Sequence, residues 1–221
     1  MTLLEIHDFI DLITSKERGG FNTYEEKDSA LDRASLTLFG LYRKIYATSI
    51  EAKEALSPFR KKYDYVTSGT GEITLSTFPV FAHLLAMDVM VNDPDTPSGF
   101  DPNRRFPVKF VNEDEISERL NSQLKQPTRT TPICDIVGVG WYNLYPQVVH
   151  AGTIYYLKRP DKPFFSYHLS GREVIEDTGD TVNLEWQEPY LNECIFLAIR
   201  FLGINLDSEK LNQYMDKFLN E

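Results

Sequence analysis

Apolar residues at helical spacing open the chain. Leu3, Ile6, Ile10 and Ile13 recur three and four residues apart, which places them on one face of a helix. Arg18-Gly19-Gly20 ends that element. Thr23-Tyr24-Glu25-Glu26 then has the form of a capping box, in which the threonine oxygen accepts from the third helical amide and the glutamate reaches back. Behind it Leu31, Ala34, Leu38, Leu41 and Ile45 make a narrow apolar stripe, suited to packing against another helix of the same or a neighbouring subunit. Ser49–Leu56 reads as a short helix that Pro58 stops.

The periodicity changes after residue 57. "KYDYVTSGTGEITLS" reads as strand, glycine-containing hairpin turn, strand. "FPVFAHLLAMDVMV" breaks at a proline and closes on a Val/Met-rich strand. Residues 92–107 form a long loop punctuated by prolines, the kind that serves function or an interface. A short polar helix is expected over 113–124. "TTPICDIVGVGWYNLYP" reads as one long strand bent at Gly138 or Gly140. Val148-Val149 and Thr153–Leu157 around His150-Ala151-Gly152 read as a β-hairpin whose second strand Pro160 and Pro163 cut short. "FFSYHL", "REVIED" and "DTVNLEW" add short strands.

Helix returns at the C-terminus. Tyr190, Cys194, Leu197 and Phe201 share a stripe, with Pro189 at the start and Gly203 at the end. Asp207 then caps a last helix carrying Leu211, Tyr214, Met215, Phe218 and Leu219. The expected class is α+β: a helical segment at 1–57, a β-rich antiparallel region at 58–186 and C-terminal helices at 187–221, all in one structural unit.

Composition narrows the function classes. With 42% hydrophobic and 25% charged residues in 221, the chain has an ordinary globular balance. Lys and Arg total 23 against 33 Asp and Glu, a net charge of −10. Such a surface repels phosphate and disfavours tight nucleic-acid binding, while suiting a surface that DNA slides past. The acidic N-terminus does not resemble a signal peptide and no window approaches a membrane span. A soluble, intracellular protein without membrane contact is expected. Cys134 and Cys194 follow no metal or redox spacing and read as reduced core thiols.

Chemistry is sparse. His7, His83, His150 and His168 lack metal-ligand spacing, although His150 and His168 would face each other if their strands paired. "SGTGE" lacks the Lys-Ser/Thr of a P-loop, and no G-x-S-x-G elbow is present. Asp93, Asp95 and Asp101 crowd one loop, but prolines break the offsets a calcium loop needs. Glu185, Glu188 and Glu193 near Trp186 offer the raw material of a glycosidase pair; a helix N-terminus explains acidic residues equally well. "FRKKYDY" at 59–65 and "NRRFPVKF" at 103–110 are the basic-aromatic groups. The reading is no catalytic, cofactor-binding or metal-binding residue.

Three segments resemble a family. "LSPFRKKYDYVTSGTGEITLSTFPVFAHLLAMDV", "YNLYPQVVHAGTIYYLKRPDKPFF" and "DTVNLEWQEPYLNECIFLAIRFLGINLDSEKLNQY" are similar, in this order, to segments of head–tail connector and neck ring proteins of crAss-like and related tailed phages of Bacteroidota. The matches span Leu56 to Met90, Tyr142 to Phe165 and Asp180 to Tyr214. The resemblance implies a virion structural protein assembled in the host cytoplasm. It would form a cyclic homo-oligomer, commonly dodecameric, stacked below the portal against neighbouring neck or tail rings. It would help seal and line the channel through which genomic DNA passes without sequence-specific binding. The alternative is a virion module that binds carbohydrate or the host surface through exposed Trp141, Tyr142 and Tyr145. A glycosidase built on Glu185 or Glu188 ranks below both.

Overall fold

A computed structural model describes residues 1–17, 22–67, 69–74, 81–90, 104–138, 141–148, 150–171 and 173–204. The expected helix from Asp207 and residues 92–103 of the expected 92–107 loop, with Asp93, Asp95 and Asp101, lie outside the described residues, whereas Arg105–Pro107 of that loop form a short strand. The class is α+β. The chain divides into two compact units, Met1–Phe59 with Pro160–Glu221, and Arg60–Arg159. The first boundary falls two residues from the expected one. The second unit boundary falls between Arg159 and Pro160, while strands continue as far as Glu176 inside the helical unit.

In the helical unit, α1 (Leu3–Glu17) buries Leu3, Ile6, Phe9, Ile10 and Ile13, as its periodicity predicts. α2 (Tyr24–Ile45) opens with the expected capping box: the Glu26 amide donates to Thr23 Oγ1 at 3.2 Å and the Thr23 amide donates to Glu26 Oε2 at 3.0 Å. Leu31, Ala34 and Leu38 are buried, but Leu41 and Ile45 are exposed, so the apolar stripe outruns the surface that covers it. α3 (Ile50–Ala55) is capped by Ser49 and is followed by a 3-10 turn, Ser57–Phe59, that contains Pro58.

α5 (Tyr190–Phe201) packs against α2. Its buried face is Tyr190, Leu191, Cys194, Ile195, Ala198 and Ile199, while Leu197 is half-buried and Phe201 exposed. The true stripe is therefore rotated toward the following residue. Gly203 (φ +82°) donates to the Arg200 carbonyl and Ile204 donates to that of Ile199. This double return closes the helix in a Schellman motif, where only glycine takes the left-handed conformation without strain. β9 (Tyr167–Ser170) and β10 (Glu173–Glu176) form an antiparallel two-stranded sheet. Of the expected "DTVNLEW" strand, only a bridge between Val182 and Phe164 forms.

The β unit holds two four-stranded sheets. One has the order β1 (Arg60–Val66), β8 (Ala151–Lys158), β3 (Phe81–Met90), β4 (Arg105–Pro107), all antiparallel. The other has the order β2 (Glu72–Thr74), β7 (Trp141–Tyr145), β6 (Ile133–Gly138), β5 (Lys109–Phe110). Here β5 runs parallel to β6, an exception to the expected antiparallel region. Tyr65, Met87, Val89, Ile154 and Tyr156 of the first sheet share a core with Ile73, Cys134, Tyr142 and Leu144 of the second. The helix expected over 113–124 is α4, Glu113–Asn121.

Three expected connections are corrected. β1 and β2 are not a hairpin, because they belong to different sheets. Gly71 (φ +73°) accepts from the Leu144 amide at 2.9 Å, and this bond commits β2 to β7. The long bent strand over 130–146 is instead the antiparallel pair β6–β7. The expected hairpin over Val148–Leu157 is one strand, β8, central in its sheet and ending before Pro160.

Gly152 shows how β8 is locked in place. Tyr65 and Val89 flank it in register, and the Tyr65 hydroxyl crosses above it to donate to the Asp88 carbonyl at 2.9 Å. A Cβ at Gly152 would lie 2.0 Å from that carbonyl oxygen. The bare backbone therefore lets one tyrosine tie three strands together.

Candidate functional site

The histidines do not converge. His7 is buried among Tyr24 and Phe165, with Nε2 3.0 Å from Asp28 Oδ1. His83 is exposed on β3. His150 is buried, and its Nε2 lies 2.7 Å from the Pro146 carbonyl. A carbonyl only accepts, so this nitrogen carries the proton. Burial lowers the His150 pKa from its ordinary value, with the Pro146 bond opposing. His168 does not pair with the His150 strand: it lies on β9 opposite Ile175, and its Nδ1 contacts Asp177 Oδ1 at 2.7 Å. No group of three or more potential metal ligands occurs among the described residues.

Cys134 and Cys194 are both buried, and burial pushes each thiol pKa up to about 12. Thiolates are the reactive form, so these side chains are inert packing atoms.

The carboxylates near Trp186 are also dispersed. Trp186 is core: its indole N–H donates to Ser35 Oγ at 2.8 Å, and its ring packs edge-on against Phe59. Glu193 accepts from the Tyr42 hydroxyl at 2.9 Å. Burial first, and then this carboxylate, raise the tyrosine pKa. Glu185 accepts from the Asp161 amide at 3.4 Å. Glu188 instead lines a surface depression with Lys53, Glu54 and Tyr190. Glu185 is not among the residues that line this depression.

The aromatic trio expected for carbohydrate is split. Trp141 is 46% exposed, but Tyr142 is 2% exposed and belongs to the core between the sheets. Alternation along β7 forces this outcome, since neighbouring residues point to opposite faces. Tyr145 is half-buried beside Val111, Ile116 and Ile133.

Of the basic-aromatic groups, the second is largely engaged. Arg105 Nη1 contacts both Asp88 carboxylate oxygens at 3.2 Å and Thr153 Oγ1 at 2.7 Å, while Thr153 donates to Asp64 at 2.6 Å. This polar chain crosses β4, β3, β8 and β1. Lys109 lies 3.3 Å from Glu115. In the first group, Arg60 stacks 5.8 Å from the Tyr155 ring, and Lys61 and Lys62 are exposed on β1, the edge strand of its sheet.

Sequence reasoning missed the surface that stands out most. The β9–β10 hairpin is rooted by Phe165 and Tyr167, which stack at 5.7 Å and both pack against Tyr24. Beyond this root Leu169, Val174 and Ile175 are exposed, as are nearby Phe164 and Val182. The alternation in "FFSYHLSGREVIED" marks the hairpin, but nothing in it says the apolar side chains stay uncovered. Charge is also uneven. Residues 60–159 carry 11 basic and 11 acidic side chains, whereas the helical unit carries 12 and 22. The whole acidic excess therefore sits in the helical unit.

No protein-family model matches the chain, and no curated protein matches it either.

Proposed function

We propose that the chain is a virion structural protein, a neck or tail ring of the head–tail connector or adaptor type. It stacks below the portal and helps seal and line the DNA channel. The resemblance of three ordered segments to that family supports the reading. The observation that carries the reading is the rooted hairpin with exposed Leu169, Val174 and Ile175. Leu169 and Val174 pair on one face of the hairpin and Ile175 lies on the other; exposed apolar groups on both faces of one hairpin favour a protein partner, and an isolated two-stranded hairpin is marginal by itself. The concentration of acidic side chains in the helical unit fits a surface that DNA passes with little adhesion.

The ring is a cyclic homo-oligomer, since a head-to-tail interface closes when its rotation fits. Its partners are the portal, the adjoining rings and DNA in transit, and its site of action is the virion after assembly in the host cytoplasm. Cryo-electron microscopy of intact particles, with the purified chain imaged alone and with portal, tests this. Density for the chain as a ring at the neck is expected. Particles without it, together with a chain that stays monomeric on portal, would end the proposal.

A further inference from the structure

We infer that β1 of one copy adds to β10 of the next, making the β9–β10 hairpin an arm that joins copies of this chain. The inference rests on the ring reading above and names the contact within the ring.

Among the described residues both strands have an open edge. β1 ends its sheet, and β9–β10 is a sheet of only two strands among the described residues. The Thr67 amide donates to the His150 carbonyl at 2.7 Å, next in register after Val66 and Ala151. In an antiparallel ladder every second residue bonds to the neighbour. Arg60, Lys62, Asp64 and Val66 therefore turn their backbone groups away from β8. The same count works on the hairpin. The Asp177 amide donates to the Ser166 carbonyl at 2.8 Å, so Val174 and Glu176 direct theirs away from β9. Each edge offers donors and acceptors at the two-residue repeat that the other requires.

Charge selects the pairing. β1 begins Arg60-Lys61-Lys62, while β10 reads Glu173-Val174-Ile175-Glu176, followed by Asp177 and Asp180. With Asp64 counted, β1 keeps a net charge of +2, and that net charge disfavours a second β1, as the wholly acidic β10 disfavours a second β10. Opposite charges across strands are favourable. Self-pairing is thus discouraged and the unlike pairing encouraged, which makes the contact head-to-tail and able to propagate to closure. The added strand also brings a neighbour alongside exposed Val174 and Ile175.

Sedimentation of the full chain and its variants tests this directly. R60E/K61E/K62E and E173K/E176K should each weaken self-association by about tenfold or more. The chain carrying both sets should recover it, because the charges are exchanged and not lost. Val174→Pro gives a second route, since its amide faces the open edge and contributes nothing to the β9 ladder; it should abolish association. Retained association in the two charge variants, or no recovery in the combined chain, would overturn the strand pairing while a ring seen in particles stands. A wild-type chain that sediments as a monomer would also overturn it, leaving the ring to be judged from particle images. Rings that persist in V174P would have the same meaning.

Discussion

Lys27 is 1% exposed at its side chain, whereas Asp11, 2.7 Å from its ammonium, is 30% exposed. This asymmetry predicts that removing either partner of one ion pair gives very different results. At this distance, with an effective dielectric of about 20, the attraction is about 6 kcal/mol, and it is offset by a desolvation cost of several kcal/mol. The Tyr24 ring, 4.4 Å from the ammonium, contributes further. In Asp11→Ala the ammonium remains in a dry site without its counter-charge, a loss of about 3–5 kcal/mol. In Lys27→Met the Asp11 side chain, 30% exposed overall but with Oδ1 itself buried and unpartnered, keeps only partial access to water, and the thioether chain fills the lysine's path, so the loss is smaller, about 1–2 kcal/mol. The double variant should therefore be more stable than Asp11→Ala alone.

The assay is urea unfolding followed by Trp186 fluorescence in a Trp141→Phe background, since Trp186 lies in the helical unit and Trp141 in the β unit. With a slope of about 1–3 kcal/mol per molar urea, the Asp11→Ala midpoint falls by about 1–5 M, and on the same slope that of Lys27→Met falls by less than half as much. Equal losses, or a double variant less stable than Asp11→Ala, would refute the claim that Lys27 is held as a charge out of water.

Other outcomes follow from single sites. Gly152→Ala forces a Cβ to 2.0 Å from the Asp88 carbonyl and 2.8 Å from the Tyr65 hydroxyl. The β unit should lose about 1–3 kcal/mol or more, read from Trp141 fluorescence; a neutral result would show that β8 shifts freely. His150 has its pKa held below the ordinary 6.5 by burial. The unfolded chain then binds the proton more readily, so its contribution is complete above that value and declines as pH falls toward the folded one. Thermal melts from neutral to mildly acidic pH should show this loss reduced in His150→Asn, and identical slopes would contradict it. Cys134 and Cys194, with pKa values near 12, should resist iodoacetamide in the folded chain and react on unfolding, as mass spectrometry would report. Rapid labelling without unfolding would show that one of them is reachable.

Local signals were readable and long-range ones were not. Thr23 with Glu26 announces a helix start, and Gly203 its end, because each rule is completed within a few residues. The Gly69–Gly71 turn was equally visible, yet it joins different sheets. What decides the outcome is the fit of Tyr65 over Gly152 and the Gly71–Leu144 bond, both far away in the chain. Tyr142 follows the same logic. Its alternation with Trp141 was legible, but which of the two faced inward depended on the opposing sheet. Leu41 and Ile45 fail differently: the helix period is right, and no packing surface among the described residues extends far enough to cover them.

Many buried polar groups among the described residues are bonded within the fold. Thr14 bonds back to the Ile10 carbonyl, Ser35 accepts from Trp186, Asp28 accepts from the Phe165 amide, and Thr67 and His150 bond to each other. Thr153 joins Asp64 to Arg105. Apart from the Thr14 bond, which stays within α1, each of these clamps one element to another. The exposed hairpin shows the reverse imbalance. Its root is held by stacked aromatic rings while its tip leaves Leu169 66% exposed. A chain that fixes the base of an arm and leaves the end apolar gains stability when something covers that end. Leu169→Asp should therefore change self-association far more than the urea midpoint of the isolated chain. An equal effect on both would mean that Leu169 serves the fold of its own subunit.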